Sequence, residues 1–222
     1  MIKEKELQKP PKWRSRQELP DILNELGLLD RGVEIGVQRG LYSSHLRAYW
    51  AGGVLHCVDP WLPYGGVTDS KDKHESYKAD AMANLDAACT ANQTNKDAAY
   101  IIHRTTSEDF AAEMGEHKVP LFDFVYLDGD HDEKPFRLDV LAFWPLLKPG
   151  GILAGHDYVP SGYVVHDQPH KSYATEAEAL AVGPCTPFYV QKVVDELFPA
   201  EFVSLTSADC DGGWRSWMVR KS

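Results

Sequence analysis

Short apolar runs alternate with longer segments of helical periodicity along most of this chain. The runs lie at 33–37, 54–59, 99–103, 122–128 and 151–157. The helical segments between them lie at about 41–50, 74–92, 107–116 and 133–147, and the last runs into the stop signal KPGG. Almost continuously apolar strands separated by helices are typical of a parallel sheet that is covered on both faces. The sequence therefore predicts a doubly wound α/β fold.

Both ends of the chain depart from this alternation. Further helices are expected at about 17–28 and at 189–198. The strand-like segments 201–206 and 214–221 flank the turn-rich stretch SADCDGG, a spacing that fits an antiparallel pair better than another βαβ unit. Trp214 or Trp217 of the last strand is expected to pack against a covering helix. Residues 1–16 are predicted to form a flexible or surface-packed arm, and 17–222 a single domain.

Composition argues against two classes of partner. The 23 basic and 33 acidic residues give a net charge of −10, which would repel a nucleic-acid backbone. No apolar run approaches the ~20 residues of a membrane span, and the N-terminal residues lack the apolar core of a signal peptide. Reduced thiols in a cytoplasmic protein are the simplest interpretation of four widely spaced cysteines: Cys57, Cys89, Cys185 and Cys210.

The segment GVEIGVQRG (32–40) joins the first predicted strand to its helix. Glycines let the backbone approach a ligand closely, and a helix N-terminus offers free N–H groups. Gly36 and Gly40 are four residues apart and Glu34 lies in the strand, so the loop is not the dinucleotide motif G-x-G-x-x-G. Asp59 ends the second strand, where a carboxylate can bind both ribose hydroxyls of a nucleoside. Tight turns also use these residue types structurally.

Two groups of polar residues follow the fourth and fifth predicted strands. The segment FVYLDGDHD carries Asp128, Asp130 and His131, and GHDY carries His156 and Asp157. Open α/β sheets bind ligands at the carboxyl ends of their strands. These side chains are therefore candidates for an active site.

The chain resembles the class I S-adenosylmethionine-dependent methyltransferases, from about 32 to 217. The resemblance is carried by VEIGVQRG, VDPW, TTSEDF, FVYLDGDHDEKPFRLDVLAFWPLLKPGGILAGHDY and VQKVVDELF. More narrowly, it is to the macrocin-type and cephalosporin-biosynthesis O-methyltransferases. It implies a mostly parallel, Rossmann-like sheet of seven strands with an antiparallel last strand. It also implies methyl transfer from S-adenosylmethionine to a hydroxyl of a small molecule or glycan, and the sequence leaves a homo-oligomer open.

The resemblance also implies which residues contact the cofactor. Those at its methionine end and methyl group would be Glu34, Gly36, Gly40 and Asp128. Asp59 would hold the ribose and Ser107 the adenine, with Thr106 as the weaker candidate. The structural alternative for Ser107 is an N-cap of the following helix.

A divalent metal is implied by the metal-dependent relatives, in which one ligand follows the fourth strand and two adjacent acids follow the fifth. Asp128 and Asp157 match the first and last of these positions, and His156 occupies the middle one. Oxygen ligands alone would favour Mg²⁺, whereas an imidazole suits Mn²⁺, Fe²⁺ or Zn²⁺ better. Alternatively, His156 binds no metal and acts as a base or a substrate contact.

Two residues compete for the role of the base that accepts the acceptor's proton. Asp130 matches the acid that relatives use, and it is favoured over His131, whose unperturbed pKa near ~6.5 also suits the task. The structural alternative for His131 is a packing or capping histidine at the start of the helix 133–147.

The segments 61–80 and 158–173 are expected to cover the site. Four of their aromatic residues are either acceptor contacts or packing residues: Trp61, Tyr64, Tyr158 and Tyr163. His166 and His170 are either a second metal site or polar surface. Two other functions stay open: a nicotinamide-dependent oxidoreductase, although its G-x-G-x-x-G turn is missing, and a catalytically silent S-adenosylmethionine-binding protein.

Overall fold

The computed structural model of the chain describes residues 2–62, 70–165, 167–208 and 210–222, without the side chains of 210 and 211. The helices are α1 (Leu19–Glu25), α2 (Leu41–Tyr49), α3 (Lys71–Ala91), α4 (Ser107–Gly115), α5 (Glu133–Phe143), α6 (Glu176–Leu180) and α7 (Val190–Leu197). The strands are β1 (Leu7–Gln8), β2 (Arg31–Ile35), β3 (Val54–Val58), β4 (Ala99–His103), β5 (Phe122–Leu127), β6 (Leu147–Gly155), β7 (Gly162–Val165), β8 (Ser172–Tyr173), β9 (Cys185–Phe188), β10 (Ser204–Leu205) and β11 (Trp217–Lys221).

The main sheet has the order β1-β11-β6-β5-β2-β3-β4, with β10 also paired to β11. Strands β2 to β6 are parallel, whereas β11 runs antiparallel to β6 and pairs antiparallel with β10. This confirms the doubly wound α/β fold and the antiparallel pair at the C-terminus. Within the described residues the sheet has eight strands rather than the expected seven, because β1 of the N-terminal arm adds to its edge.

The sheet separates two hydrophobic cores. Side chains of a strand alternate between its faces. Phe124 and Tyr126 of β5 therefore pack with α1, α2 and α3, whereas Val125 and Leu127 pack with α4, α5 and α7. A strand that is buried on both faces has to be apolar throughout, which explains the continuous apolar runs in the sequence.

Three boundaries differ from the sequence expectations. Helix α5 ends at Phe143, not at 147, and β6 begins at Leu147, so that KPGG lies within the strand. The backbone N–H groups of Leu121 and Phe122 donate to the carbonyl of Leu146. The pairing of β5 and β6 therefore begins before residue 151, where the strand was expected to start. Segment 17–28 yields only the short helix α1, and segment 201–206 yields a 3-10 turn followed by the two-residue strand β10.

The N-terminal arm packs against the domain. Ile2, Leu7 and Trp13 are buried, and the Trp13 indole donates a hydrogen bond to the carbonyl of Ser204 over 3.3 Å. Leu7 and Gln8 pair with the last strand. The arm is therefore held against the domain at Ile2, Leu7 and Trp13. The chain continues from Trp13 into the residues that precede α1.

The last strand closes the core on the α5 side. The Trp217 ring lies edge-on to Phe136 of α5, with centroids 6.1 Å apart, which confirms that a tryptophan of this strand packs against a covering helix. Trp214 packs instead on Phe188, at 5.1 Å, in a second sheet of order β8-β7-β9 that the sequence did not predict.

Among the described residues, Cys57, Cys89 and Cys185 are free thiols, and no helix is long and apolar enough to cross a membrane. The Cys210 side chain, Tyr64 and His166 lie outside the described part of the chain.

Candidate active site

A cleft of about 340 Å³ opens at the carboxyl ends of β2, β3 and β5. Strand β2 lies between β3 and β5, and the chain leaves β2 toward β3 but later crosses back to β5 on its other side. Such a reversal of strand order is where open α/β sheets bind ligands. The fold therefore places the cleft at the position expected of a ligand site.

The structure brings together half of the predicted site residues in this cleft. Those that line it are Glu34, Gly36, Asp59, Asp128 and His131. Those that lie outside its lining are Gly40, Ser107, Asp130, His156 and Asp157. The last two lie directly behind it, because His156 and Asp157 contact the lining residues Asp128 and His131.

The two glycines of the β2–α2 loop are both required by the backbone. Gly36 has φ +87°, and a Cβ there would lie 2.0 Å from the carbonyl oxygen of Asp128. Gly40 has φ +69° as the N-cap of α2, and its Cβ would lie 2.9 Å from the Cα of Ala81. Gly36 thus lets the loop pack against the end of β5 beside the cleft, and Gly40 lets α2 pack against α3.

Asp59 holds two loops of the cleft together. Its Oδ2 atom accepts hydrogen bonds from the backbone N–H groups of Val37 and Gln38, at 3.0 and 2.9 Å. Its Oδ1 atom accepts one from the N–H of Trp61 at 2.6 Å. A carboxylate oxygen has two lone pairs, so Asp59 can also accept hydrogen bonds from a ligand. The residue is therefore both a turn aspartate and a candidate ligand contact.

Glu34 is a buried acid in the floor of the cleft. The Ser43 hydroxyl donates a hydrogen bond to it. Burial raises the pKa of Glu34 to about 8, because the Ser43 hydrogen bond and the charge of Arg16 only partly oppose the desolvation. Burial therefore favours the protonated form of the Glu34 carboxyl.

Asp157 lies between two imidazoles. The Nε2 atom of His131 is 2.6 Å from its Oδ2 atom, and the Nδ1 atom of His156 is 2.9 Å from its Oδ1 atom. The backbone of Asp157 has φ +58°, which is uncommon for a residue other than glycine. Such strain at a ligand site is typical of positions whose side-chain direction matters.

The pKa values of this cluster favour charged pairs. Burial alone would raise the pKa of Asp157, but His131 and His156 outweigh it and hold that pKa well below the usual value. Burial would lower the pKa of both histidines, but Asp157 and Asp128 outweigh it and raise each one. The pKa of Asp128 is raised, chiefly by burial.

Three side chains of this cluster form a candidate metal group. Asp128, His131 and Asp157 each offer a ligand atom, and these atoms all lie within 4.8 Å of one another. The sequence suggested His156 as the third ligand. Among the described residues, the group that meets this spacing contains His131 in its place.

Asp130 and Ser107 have structural contacts outside the cleft. The Oδ1 atom of Asp130 accepts a hydrogen bond from the N–H of Asp132 at 2.9 Å, in the turn before α5. The N-cap of α4 is Thr106, whose hydroxyl accepts from the N–H of Asp109, so the N-cap expectation for Ser107 was wrong by one residue. Ser107 instead hydrogen-bonds Asp139, whose pKa burial raises to about 6.

Strand β9 of the second sheet and the residue that follows it contact His131. The His131 ring lies 4.7 Å from that of Phe188 in β9, and its carbonyl accepts a hydrogen bond from the N–H of Tyr189. Tyr158 donates to Asp195 at 2.6 Å, so this tyrosine has a structural role, and His170 is exposed. Segment 158–173 contributes β7 and β8 to this sheet, but none of its described residues lines the cleft, so its covering role stays a prediction.

Sequence reasoning missed several residues that line the cleft: Arg16, Gln38, Arg39, Tyr42, His74 and Tyr77. Trp61, which it left as a contact or a packing residue, lines the cleft and is almost fully buried. His74 is 6 % exposed, and its Nε2 atom has no hydrogen-bond partner among the described residues. His74 and Tyr77 share one face of α3 at helical spacing, a pattern that could have indicated them. Arg16 belongs to no motif.

The strand order, the antiparallel β11 and the glycine-containing β2–α2 loop at the reversal point define a Rossmann-like methyltransferase fold. The sequence profile of the methyltransferase domain matches residues 33–158, more than half of the chain. The protein therefore belongs to the methyltransferase domain family. This membership does not support the nicotinamide-dependent alternative.

Solved structures agree with this fold. An O-methyltransferase from Bacillus cereus, in complex with SAH, is 17 % identical, with 92 % of this chain and 79 % of that chain covered and a TM-score of 0.53. The O-methyltransferase TomG from Streptomyces achromogenes, involved in tomaymycin synthesis and solved with SAM, is 16 % identical, with 93 % and 80 % covered and a TM-score of 0.55. No curated protein sequence matches this chain.

Proposed function

We propose that this protein transfers the methyl group of S-adenosylmethionine to a hydroxyl of a small molecule or sugar, as in the macrocin and cephalosporin-biosynthesis branch. One observation carries the proposal: a single cleft joins the Gly36 loop and Asp59 to the cluster of Asp128, His131 and Asp157. The first part suits a nucleoside cofactor and the second suits proton transfer.

The order of the strands sets the direction of the cofactor. Asp59 follows β3 and Asp128 follows β5, on opposite sides of β2. Two strand spacings separate them by roughly 10 Å, which is the length of a nucleoside with part of a side chain. The ribose would lie at Asp59, and the methionine end and methyl group would lie near Glu34 and Asp128.

The reaction needs an aligned acceptor and a base. A sulfonium makes its methyl group electrophilic, so the protein has to orient the acceptor oxygen and take up its proton. We assign the base to the neutral form of His131, because its imidazole lines the cleft and Asp157 contacts and orients it. The Asp157 carboxylate would stabilise the imidazolium that forms when His131 takes up the proton. Asp130, which the sequence favoured, is the second candidate, since its carboxylate is engaged in the turn before α5.

The candidate metal group fits a divalent cation. Asp128, His131 and Asp157 would hold it, and the mixed oxygen and nitrogen ligands favour Mn²⁺ or Zn²⁺ over Mg²⁺. A bound cation would lower the pKa of the acceptor hydroxyl. An imidazole nitrogen cannot ligate a metal and accept a proton at once, so the metal-bound form and the His131 base are alternatives. Removal of metal with a chelator, followed by titration with Mg²⁺, Mn²⁺ and Zn²⁺, distinguishes them.

We infer the kind of acceptor molecule from the residues around the cleft and from the net charge of the protein. The second sheet, which carries Tyr163 and packs on His131, would form the acceptor side of the site. Polar aromatic side chains suit a hydroxylated molecule. The net charge of −10 argues against a nucleic-acid acceptor, and we expect the reaction to take place in the cytoplasm.

Ligand-dependent thermal unfolding tests the cofactor. S-adenosylmethionine and S-adenosylhomocysteine should raise the unfolding temperature, since a ligand that binds only the native state stabilises it, whereas NAD and NADP should not. Formation of S-adenosylhomocysteine with a panel of phenols and sugars then tests for turnover. Stabilisation by NAD alone would contradict the proposal. Binding without turnover on any acceptor would favour the catalytically silent alternative.

A further inference from the structure

Arg16 enters the cleft from the N-terminal arm. It begins the 3-10 turn that precedes α1, and its Nη1 atom lies 3.4 Å from Oδ2 of Asp128. Its guanidinium lies over the Tyr42 ring, 4.9 Å from the centroid. The Tyr42 hydroxyl also donates a hydrogen bond of 2.8 Å to the Arg16 carbonyl. Both the backbone and the side chain of Arg16 are therefore held at the cleft.

The charges around the cleft restrict where an anion can bind. Its lining includes the carboxylates of Asp59 and Asp128, which would repel the carboxylate of a ligand. Of the residues described in the structure, two arginines line it. Arg39 lies 3.6 Å from Asp80 and 4.8 Å from the Tyr77 ring centroid, on the α3 side, and half of its side chain is exposed.

Arg16 lies at the other end, beside Asp128, and only 22 % of its side chain is exposed. Its charge also acts on Glu34 and Tyr126, which places it close to the floor of the cleft. Among the described lining residues it is thus the arginine on the side where the proposed function puts the methionine end of the cofactor.

We infer that Arg16 binds the carboxylate of the methionine part of S-adenosylmethionine, so that the N-terminal arm forms one wall of the cofactor site. This inference rests on the proposed function. A guanidinium has five N–H donors and binds a carboxylate through two of them, so it can contact Asp128 and a ligand together. The separation of 3.4 Å from Asp128 is longer than the ~2.7–2.9 Å of a tight charge-assisted hydrogen bond, so this pair leaves the guanidinium room to adjust.

Two ligands that differ in the amino-acid part test the inference by calorimetry. S-adenosylhomocysteine carries the carboxylate, and 5′-methylthioadenosine lacks the whole amino-acid group. Arg16→Gln should weaken binding of S-adenosylhomocysteine roughly 10–100-fold, the effect of charge-assisted hydrogen bonds, and leave the affinity for methylthioadenosine unchanged. Arg14→Gln, on the same arm with 86 % of its side chain exposed, should change neither affinity.

Other results of the same titrations would contradict the inference or the proposed cofactor. Loss of affinity for both ligands to the same extent, or for neither, refutes the carboxylate contact. Failure of the wild-type protein to bind either ligand refutes the proposed cofactor itself. Arg16→Lys keeps the charge without the forked donors and should show a smaller loss for S-adenosylhomocysteine alone. This variant supplies the readout if Arg16→Gln does not fold.

Discussion

At the scale of single residues, the site depends on side chains with more than one partner. Asp157 contacts two imidazoles from a left-handed backbone, and Asp59 binds three backbone N–H groups of the loops beside the cleft. Because each is held on several sides, its direction is set before a ligand arrives. Such preorganisation is what proton transfer and cofactor orientation require.

Replacement of the proposed base should separate catalysis from binding. His131→Gln is expected to lower kcat by roughly 10²–10⁴-fold, the usual contribution of a general base, with little change in the affinity for S-adenosylhomocysteine. The matched control is Asp130→Asn, which should keep most of the activity because Asp130 does not line the cleft. Steady-state kinetics and calorimetry measure both. The opposite pattern, with Asp130→Asn inactive and His131→Gln active, would return the role to Asp130.

Gly36 allows a test of backbone packing at the cleft. Gly36→Ala should destabilise the protein by about 3 kcal/mol or more, since its Cβ would lie 2.0 Å from a backbone oxygen at a positive φ. Gly27→Ala is the control, because Gly27 has a similar φ of +67° but nothing within 4 Å of the added carbon. Strain alone should cost about 1 kcal/mol there. Urea unfolding measures both, and equal losses would rule out the clash.

At the scale of elements, neighbouring strands bring together side chains that a sequence cannot pair. His56 of β3 and His103 of β4 stack at a centroid distance of 5.1 Å, with Nδ1 of His56 2.9 Å from Nε2 of His103. Burial, together with the proximity of His103, lowers the pKa of His56 to about 4, and burial lowers that of His103. The β3–β4 pair is thus built for neutral imidazoles.

The stacked histidines should make stability depend on pH. Between pH 6.5 and about 4 the unfolded chain binds a proton at His56 that the folded protein does not, so the free energy of unfolding falls as the pH falls. The loss is expected to be roughly 1–3 kcal/mol. Urea unfolding at pH 7 and pH 4.5 measures it. His56→Gln, which cannot titrate, should show a smaller decrease, and an identical decrease in both proteins would exclude His56 as its source.

At the scale of the whole molecule, the two ends of the chain complete the sheet. Strand β11 pairs with β6, β10 and β1, and its Trp217 and Val219 are buried in the core beneath α5 and α7. The N-terminal arm that leads to the cleft is held by the pairing of β1 with β11 and by the N–H of Ser207, which donates to the Arg14 carbonyl. The terminal strand thus links the fold of the sheet to the position of Arg16.

Removal of residues 210–222 should therefore disturb the folding of the whole domain. It would expose the edge of β6 and the apolar surface that Trp217 covers, so the truncated chain should aggregate. Size-exclusion chromatography and thermal unfolding measure this. As a control, Trp217→Phe keeps the strand and should remain soluble with reduced stability. A monomeric truncated protein that unfolds cooperatively would contradict the role assigned to β11.

Local patterns were sufficient for the parallel strands of the main sheet and for several of the residues at their ends. The run 99–103 is strand β4 as expected, and Glu34, Gly36, Asp59 and Asp128 line the cleft, because period and turn chemistry are properties of neighbouring residues. Contacts between distant segments decided the rest. Arg16 reaches Asp128 across 112 positions, and Asp157 turns toward His131 from another strand. No local pattern predicts such contacts, because they depend on the order in which the strands pair and on how the N-terminal arm packs against the folded sheet.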